Sequence, residues 1–185
     1  MRIACLGWGS LIWKPGELTL ASEWFGDGPS LPIEFARESD GGELATVLCP
    51  GVADVPVLWA YLDVAELAVA REQLREREGI PAFQPECVGS LPAVYGPSAC
   101  SEKIATWAAA KGLDAVVWTA LPPRCRGENH RMPSEKDVIE YLKGLPADQY
   151  AHAEHYIRST PASISTANRR LIEAHFGWYP QETAA

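Results

Sequence analysis

The chain has no pair of cysteines at Cys-X-X-Cys spacing. Its five cysteines stand far apart, at positions 5, 49, 87, 100 and 125. An odd count at this spacing argues against a disulfide framework and a structural zinc site, and fits reduced thiols in a cytoplasmic protein. No apolar run approaches the roughly 20 residues that a membrane span needs, so no membrane partner is expected. Basic residues are in deficit: 24 acidic side chains face 16 lysines and arginines, for a formal net charge of −8. A nucleic-acid binder needs a basic face to meet phosphate, so that class is set aside too. A small anionic ligand is not excluded, because a pocket can be locally basic on an acidic protein. Internal repeats and low-complexity tracts are missing. The stretch from Arg2 to Trp13 has no small-residue cleavage site and holds two glycines and a serine. It reads as strand plus loop rather than as a signal peptide.

What is there is ordinary for a globular protein: 185 residues, 47% hydrophobic and 22% charged. That is enough for one domain with a sizeable core. Residues 2–8 read as a buried strand, and 31–38, 44–49 and 55–62 as further strands separated by Asp40-Gly41-Gly42 and Pro50-Gly51. Asp63 is a good N-cap for a helix ending at Gly79. Residues 86–95 look extended, 99–111 helical with Gly112 as the stop, and 115–121 a late buried strand. The polar stretch PPRCRGENHRMP reads as a loop. Ser134 caps a helix running to 144, and mostly helical sequence follows to Gly177. Strands in series with few crossover helices predict an α+β fold: a mixed or barrel-like β-sheet with flanking helices. One domain is expected over 1–185, with a core to about residue 145 and a helical C-terminal extension from about 146.

Gly7-Trp8-Gly9-Ser10 closes the first strand. It has two glycines of a dinucleotide fingerprint but lacks the third, and no helix opens directly after it. It is no GxSxG elbow either. Such a loop can bring backbone N–H groups close to an anion, with Ser10 adding a hydroxyl. It can equally be a tight turn that packs Trp8 and Trp13. The segment VAELAVAREQLRERE places Leu67, Leu74 and Glu78 in one narrow stripe at about 100° per residue, with Val64 and Arg71 at its margin. Glu72 and Glu76 point the other way. Glu78 therefore shares the core-facing side, at a helix C-terminus whose dipole disfavours negative charge. Desolvation and dipole both raise its pKa, which tunes a carboxylate towards acid/base work. The alternative is a frayed last turn, with Glu78 swung outward or paired with Arg75.

Three stretches in order resemble the gamma-glutamylcyclotransferase fold, especially its ChaC-type, glutathione-degrading branch. LGWGSLIWKPG is similar to the family's "GYGSL-W-P" loop. FARESDGGELATVLCPG is similar to its basic-aromatic strand with a Pro-Gly turn, and VLWAYLDVAELAVAREQLREREG to its "G-aY…L..RE" segment. PSEKDVIEYL is a weaker echo of "PS..N.eYL". The chain departs from the family at Trp8, where a tyrosine is usual, at Trp59-Ala60, where a glycine is lost, and at Gly41-Gly42, which replace Arg-Gly. The last 40 residues or so match nothing in the family.

The resemblance implies a cofactor-independent lyase that cyclises a gamma-glutamyl group to 5-oxoproline and releases an amine. It places the catalytic acid/base on Glu78 and substrate binding on Trp8, Gly9, Ser10 and Leu11. The nucleophile is the substrate's own tethered α-amine, so neither a protein nucleophile nor a metal is required. Arg37 faces the site from its strand or pairs with a surface acid. The alternative function is a non-catalytic small-ligand-binding or regulatory protein on the same fold. A serine hydrolase using Ser10 needs a histidine, and none is near in sequence.

The other candidates are weaker. His152 and His155 form a bare HxxH, which reads as a solvated helix face rather than a metal site. Arg124, Arg126, His130 and Arg131 make a locally basic loop: a cover for an anionic substrate, or a surface or subunit contact. Most of the seven tryptophans read as core, with Trp8 in the loop as the exception. Cys5 reads as a small buried apolar residue. Leu171, Ile172, His175 and Phe176 fall at helical spacing, for a helix docking on the core or on a second copy in a homodimer.

Overall fold

The computed structural model describes residues 1–95 and 100–181. In chain order the strands are β1 (Ile3–Gly7), β2 (Ser30–Leu31), β3 (Ile33–Glu38), β4 (Leu44–Leu48), β5 (Val55–Pro56), β6 (Leu58–Tyr61), β7 (Val88–Leu91), β8 (Ala115–Thr119), β9 (Arg124–Cys125) and β10 (Glu128–Asn129). The helices are α1 (Leu67–Arg77), α2 (Ser101–Lys111), α3 (Glu135–Lys143), α4 (Ala147–Ser159) and α5 (Ala167–Phe176). The architecture is α+β with mixed sheets. The chain gathers into two compact units. Unit one holds Met1–Gly7, Leu11–Leu31 and Pro56–Leu121; unit two holds Trp8–Ser10, Pro32–Val55 and the chain from Pro122 on.

Unit one is built on a sheet of order β6-β1-β8-β7. β1 runs antiparallel to β6 and parallel to β8, with Cys5 opposite Ala60 and Val117, and β7 returns antiparallel to β8. β1 and β8 are buried along their whole length, as expected of unbroken apolar runs in central strands. α1 and α2 pack on β7 and β8. Ile3 and Cys5 of β1 meet Val117 of β8 and Ala70 and Leu74 of α1, with Leu11 and Ile80 in the same core. α1 ends as the sequence predicts, at Gly79 with φ 64°, a conformation glycine adopts without strain. It does not begin at Asp63. Glu66 is the N-cap, without a side-chain cap. Leu62 N–H donates to Ile3 O and Asp63 N–H to Thr19 O, both at 2.9 Å, so the chain is still held extended there.

Unit two repeats the pattern in a second sheet, of order β10-β9-β3-β4. β3 pairs antiparallel with β4 and parallel with β9 through Arg37 and Arg124. The strand expected over 31–38 is interrupted at Pro32, which has no N–H for a ladder. The stretch expected to be a plain loop, PPRCRGENHRMP, contains the β9–β10 hairpin. Its turn places Arg126 and Gly127 at φ 53° and 79°, the left-handed pair that a two-residue hairpin requires. α3 starts at Ser134 as predicted, with a capping box closed by Asp137. α5 packs on β3 and α4 on β4.

β2 and β5 form a two-stranded ribbon. Neither four-stranded sheet closes on itself, so the barrel-like form is not realised among the described residues; four strands are too few to enclose a core. The extended stretch expected over 86–95 is a 3-10 turn, Pro85–Cys87, followed by β7. Residue 99 of the expected helix and residues 182–185 of the expected extension lie outside the described residues.

Candidate functional site

Glu78 is the C-cap of α1, and its N–H donates to Leu74 O at 3.0 Å. Its side chain is only 16% exposed, on the core-facing side as the helical period predicts. Burial raises its carboxyl above the ordinary 4.5, and Arg77 offsets part of that by charge and by a hydrogen bond. Arg77 Nη1 donates to Glu78 Oε1 at 2.5 Å. The same guanidinium donates to Lys14 O through Nε at 3.1 Å and Nη2 at 2.6 Å. The partner expected from sequence, Arg75, is engaged elsewhere. It grips Glu72 with two bonds, of 2.8 and 2.7 Å, and Ile80 O with a third of 2.6 Å. The Cys5 thiol is fully buried and pushed up, first by burial and then by the Glu78 charge. That suits a core residue, not a nucleophile. Leu11 is likewise core, packed with Leu74 and Ile80.

The loop residues Trp8, Gly9 and Ser10 belong to unit two. Trp8 is 4% exposed, so it joins the other core tryptophans instead of standing apart from them. Its indole N–H donates to Thr46 O at 3.2 Å, and Thr46 Oγ1 donates back to Trp8 O at 3.0 Å. Gly9 lies against the same pair of hydroxyls. A Cβ there would overlap Tyr156 Oη and stand 2.7 Å from Thr46 Oγ1. Tyr156 Oη also accepts the Thr46 N–H at 3.2 Å and shares a 2.9 Å bond with Thr46 Oγ1. Trp8, Gly9, Thr46 and Tyr156 thus form one buried polar cluster, with Ser10 half-buried beside it in sequence.

Arg37 Nη1 donates to Pro122 O at 2.8 Å and to Asn129 Oδ1 at 3.1 Å, tying β3 to the β9–β10 hairpin. The hairpin's basic residues are largely paired within unit two. Arg124 meets Asp40 at 2.9 Å, Arg126 meets Asp137 at 2.7 Å, and Arg131 meets Glu128 at 3.1 Å. His152 and His155 take separate partners. The first faces Glu43 Oε1 at 3.1 Å and Gly41 O at 3.2 Å; the second faces Ser159 Oγ at 3.5 Å. Among the described residues no three His, Cys, Asp or Glu side chains gather where they could hold a metal ion.

The sequence reading passed over two buried charges in unit two. Glu34, 3% exposed, accepts Phe35 N–H at 2.9 Å and Asn168 N–H at 3.3 Å, and so caps the start of α5. Arg169, 1% exposed, gives Nη1 to Pro161 O (2.5 Å) and Ile164 O (3.1 Å). Its Nη2 goes to Ile157 O (2.8 Å) and Thr160 O (2.6 Å). α5 therefore docks through Asn168, Arg169 and Ile172, and His175, placed on the docking face by sequence, is exposed. The signals in the sequence are a charged residue at the helical spacing of an apolar stripe and its i,i+4 partner Glu173, 3.7 Å from Arg169 Nε. Among the described residues no helix is long and apolar enough to cross a membrane. No protein-family model matches the chain, and neither does any curated protein or solved structure.

Proposed function

We propose that the protein is a gamma-glutamylcyclotransferase-like lyase in which Glu78 is the general acid/base. The observation that carries this reading is a carboxylate held in the core-facing turn at the end of α1, with its pKa raised by burial. A carboxyl tuned upward is a stronger base than an ordinary carboxylate, which suits acid/base work. In the reaction, Glu78 takes a proton from the substrate's α-ammonium. The freed amine attacks the γ-carbonyl, forming the ring C–N bond. Glu78 then gives that proton to the departing nitrogen as the original amide C–N bond breaks, and the ring nitrogen's surplus proton passes to the released amine by the same carboxylate, leaving a neutral lactam N–H and an ammonium. Atoms and charge balance without a cofactor. Arg77, fixed by Lys14 O, holds the carboxylate in one orientation.

The same ion pair favours a second reading, a ligand-binding protein of this fold without chemistry, because the charge and the 2.5 Å bond of Arg77 offset part of the rise that burial causes. Mass-spectrometric detection of 5-oxoproline separates the two. The purified protein is incubated with glutathione and other γ-glutamyl compounds, with Glu78→Gln in parallel. Product from the wild type alone supports the lyase. Product from both removes Glu78 from the mechanism, and none from either leaves the binding protein.

A further inference from the structure

A cleft of about 320 Å³ opens in unit one between α1 and the segment from Pro85 to Tyr95. Its walls are mainly apolar, with Leu67, Val88 and Val94 facing it, and its charged groups are Arg71, Glu72 and Arg75. Glu72 and Arg75 neutralise each other through their paired hydrogen bonds. Arg71 has no such partner among the described residues. Its Nη1 donates to Val88 O at 2.6 Å and Ser90 Oγ at 2.9 Å, its Nη2 to Pro85 O at 2.8 Å, and the Tyr95 ring lies 5.0 Å from its guanidinium carbon. Among the described residues no carboxylate pairs with it. Burial accordingly pulls its pKa down, with only Tyr95 opposing.

A guanidinium fixed by three neutral oxygens is oriented but not neutralised, so the cleft carries one net positive charge in a chain of formal net charge −8. Among the described residues, three of its five N–H donors are used. Two remain, the number a carboxylate accepts in a bidentate pair. An anion there would relieve the cost of holding the cation away from water. The apolar walls suit a hydrocarbon or aromatic body, and one net charge suits a monoanion better than a dianion.

We propose that this cleft binds a small amphipathic monocarboxylate, with its carboxylate on Arg71 and its apolar body along Leu67, Val88 and Val94 beside Tyr95. Glu78 does not line the cleft, so the proposal stands or falls independently of the lyase reading.

The test is a titration of the ¹⁵N-labelled full chain with 4-phenylbutyrate, 4-phenylbutan-1-ol and inorganic phosphate. The expected result is saturable shifts for the carboxylate, confined to amides of residues 67–75 and 88–95. A charge-assisted pair contributes enough that the alcohol should bind about tenfold more weakly, and phosphate should compete poorly. Val94 is 52% exposed, so Val94→Trp fills the cleft from its rim and should abolish binding with the far-UV circular dichroism unchanged. Arg71→Gln should weaken the carboxylate to the level of the alcohol. If it fails to fold, Val94→Trp and the alcohol still decide the matter. Equal affinity for acid and alcohol, undiminished binding by folded Val94→Trp, shifts centred elsewhere, or no saturation would each overturn the proposal.

Discussion

Replacing Arg169 by methionine should be among the most damaging single changes in unit two. The guanidinium is 1% exposed and lies 5.4 Å from the Phe35 ring centroid. Two of its four acceptors, Ile157 O and Thr160 O, belong to the end of α4, where carbonyls lack intrahelical donors and the dipole favours a cation. Pro161 O and Ile164 O lie in the connection to α5. Hydrogen bonds to a charged group contribute about 1.5–3 kcal/mol each, but the desolvation of a buried cation offsets several kcal/mol of that sum. Removing one partner from a buried charged set usually costs about 3–5 kcal/mol, and that is the loss expected for Arg169→Met. Arg169→Lys keeps the charge, yet a compact ammonium cannot reproduce the planar fork, so it should lose at least about 2 kcal/mol. The assay is urea unfolding followed by far-UV circular dichroism and tryptophan fluorescence, with coincident transitions and unchanged slopes as the check on two-state analysis. A methionine variant within about 1 kcal/mol of wild type, or a lysine variant indistinguishable from it, would refute the clamp.

Three further outcomes are expected. Gly9→Ala should cost about 1–3 kcal/mol by overpacking against Tyr156 and Thr46; combined with Tyr156→Phe, the loss should fall short of the sum by at least about 0.5 kcal/mol, and strict additivity in a double-mutant cycle would sink the contact. Because the folded-state pKa of Glu78 lies above its ordinary 4.5, the folded wild type holds this proton more tightly and loses stability as pH rises from about 4.5 through the raised value. The stability of Glu78→Gln relative to wild type should therefore climb across that window and then level off; a flat difference in denaturation midpoints speaks against a raised carboxyl. Asp137 is held down at about 2 by Ser134 and Arg126, so its contribution is present above 3.8 and lost as pH falls towards 2. Asp137→Asn should flatten the acid limb of the melting curve between those pH values, and an unchanged limb would show that the capping box contributes nothing there.

Elements whose signals are local were legible in the sequence. Ser134 caps α3, Gly112 and Gly79 stop α2 and α1, and the apolar runs of β1 and β8 became central strands. Where the sequence misled, a distant group decided. Asp63 has every local qualification for an N-cap, but its N–H belongs to Thr19 O. The burial of Glu78 followed from helical period, whereas its pairing with Arg77 did not, because adjacent residues on a helix point apart and Arg77 is oriented by Lys14 O across 63 positions. Glu34 and Arg169 were passed over for a related reason. Apart from Glu173, whose carboxylate stands 3.7 Å from Arg169 Nε, their partners are backbone N–H and C=O groups, which every residue carries and no side-chain pattern announces.

The Gly7–Ser10 loop shows how far a glycine pattern carries a functional claim. A glycine permits close approach, but the sequence does not say of what. At Gly7 the approaching group is the Trp24 ring, 2.5 Å from where a Cβ would stand; at Gly9 it is the Thr46 and Tyr156 hydroxyls. Both spaces are filled by protein atoms, and the Trp8 indole is spent on Thr46 O. Packing within each unit is thus sufficient to require both glycines, and their presence adds no weight to a ligand in the loop. The weight of the catalytic reading rests instead on Glu78, whose carboxylate is desolvated at a cost that Arg77 offsets only in part. A carboxylate held away from water is the kind of local conflict that functional sites carry, which is why Glu78→Gln, and not a loop variant, belongs in the first experiment.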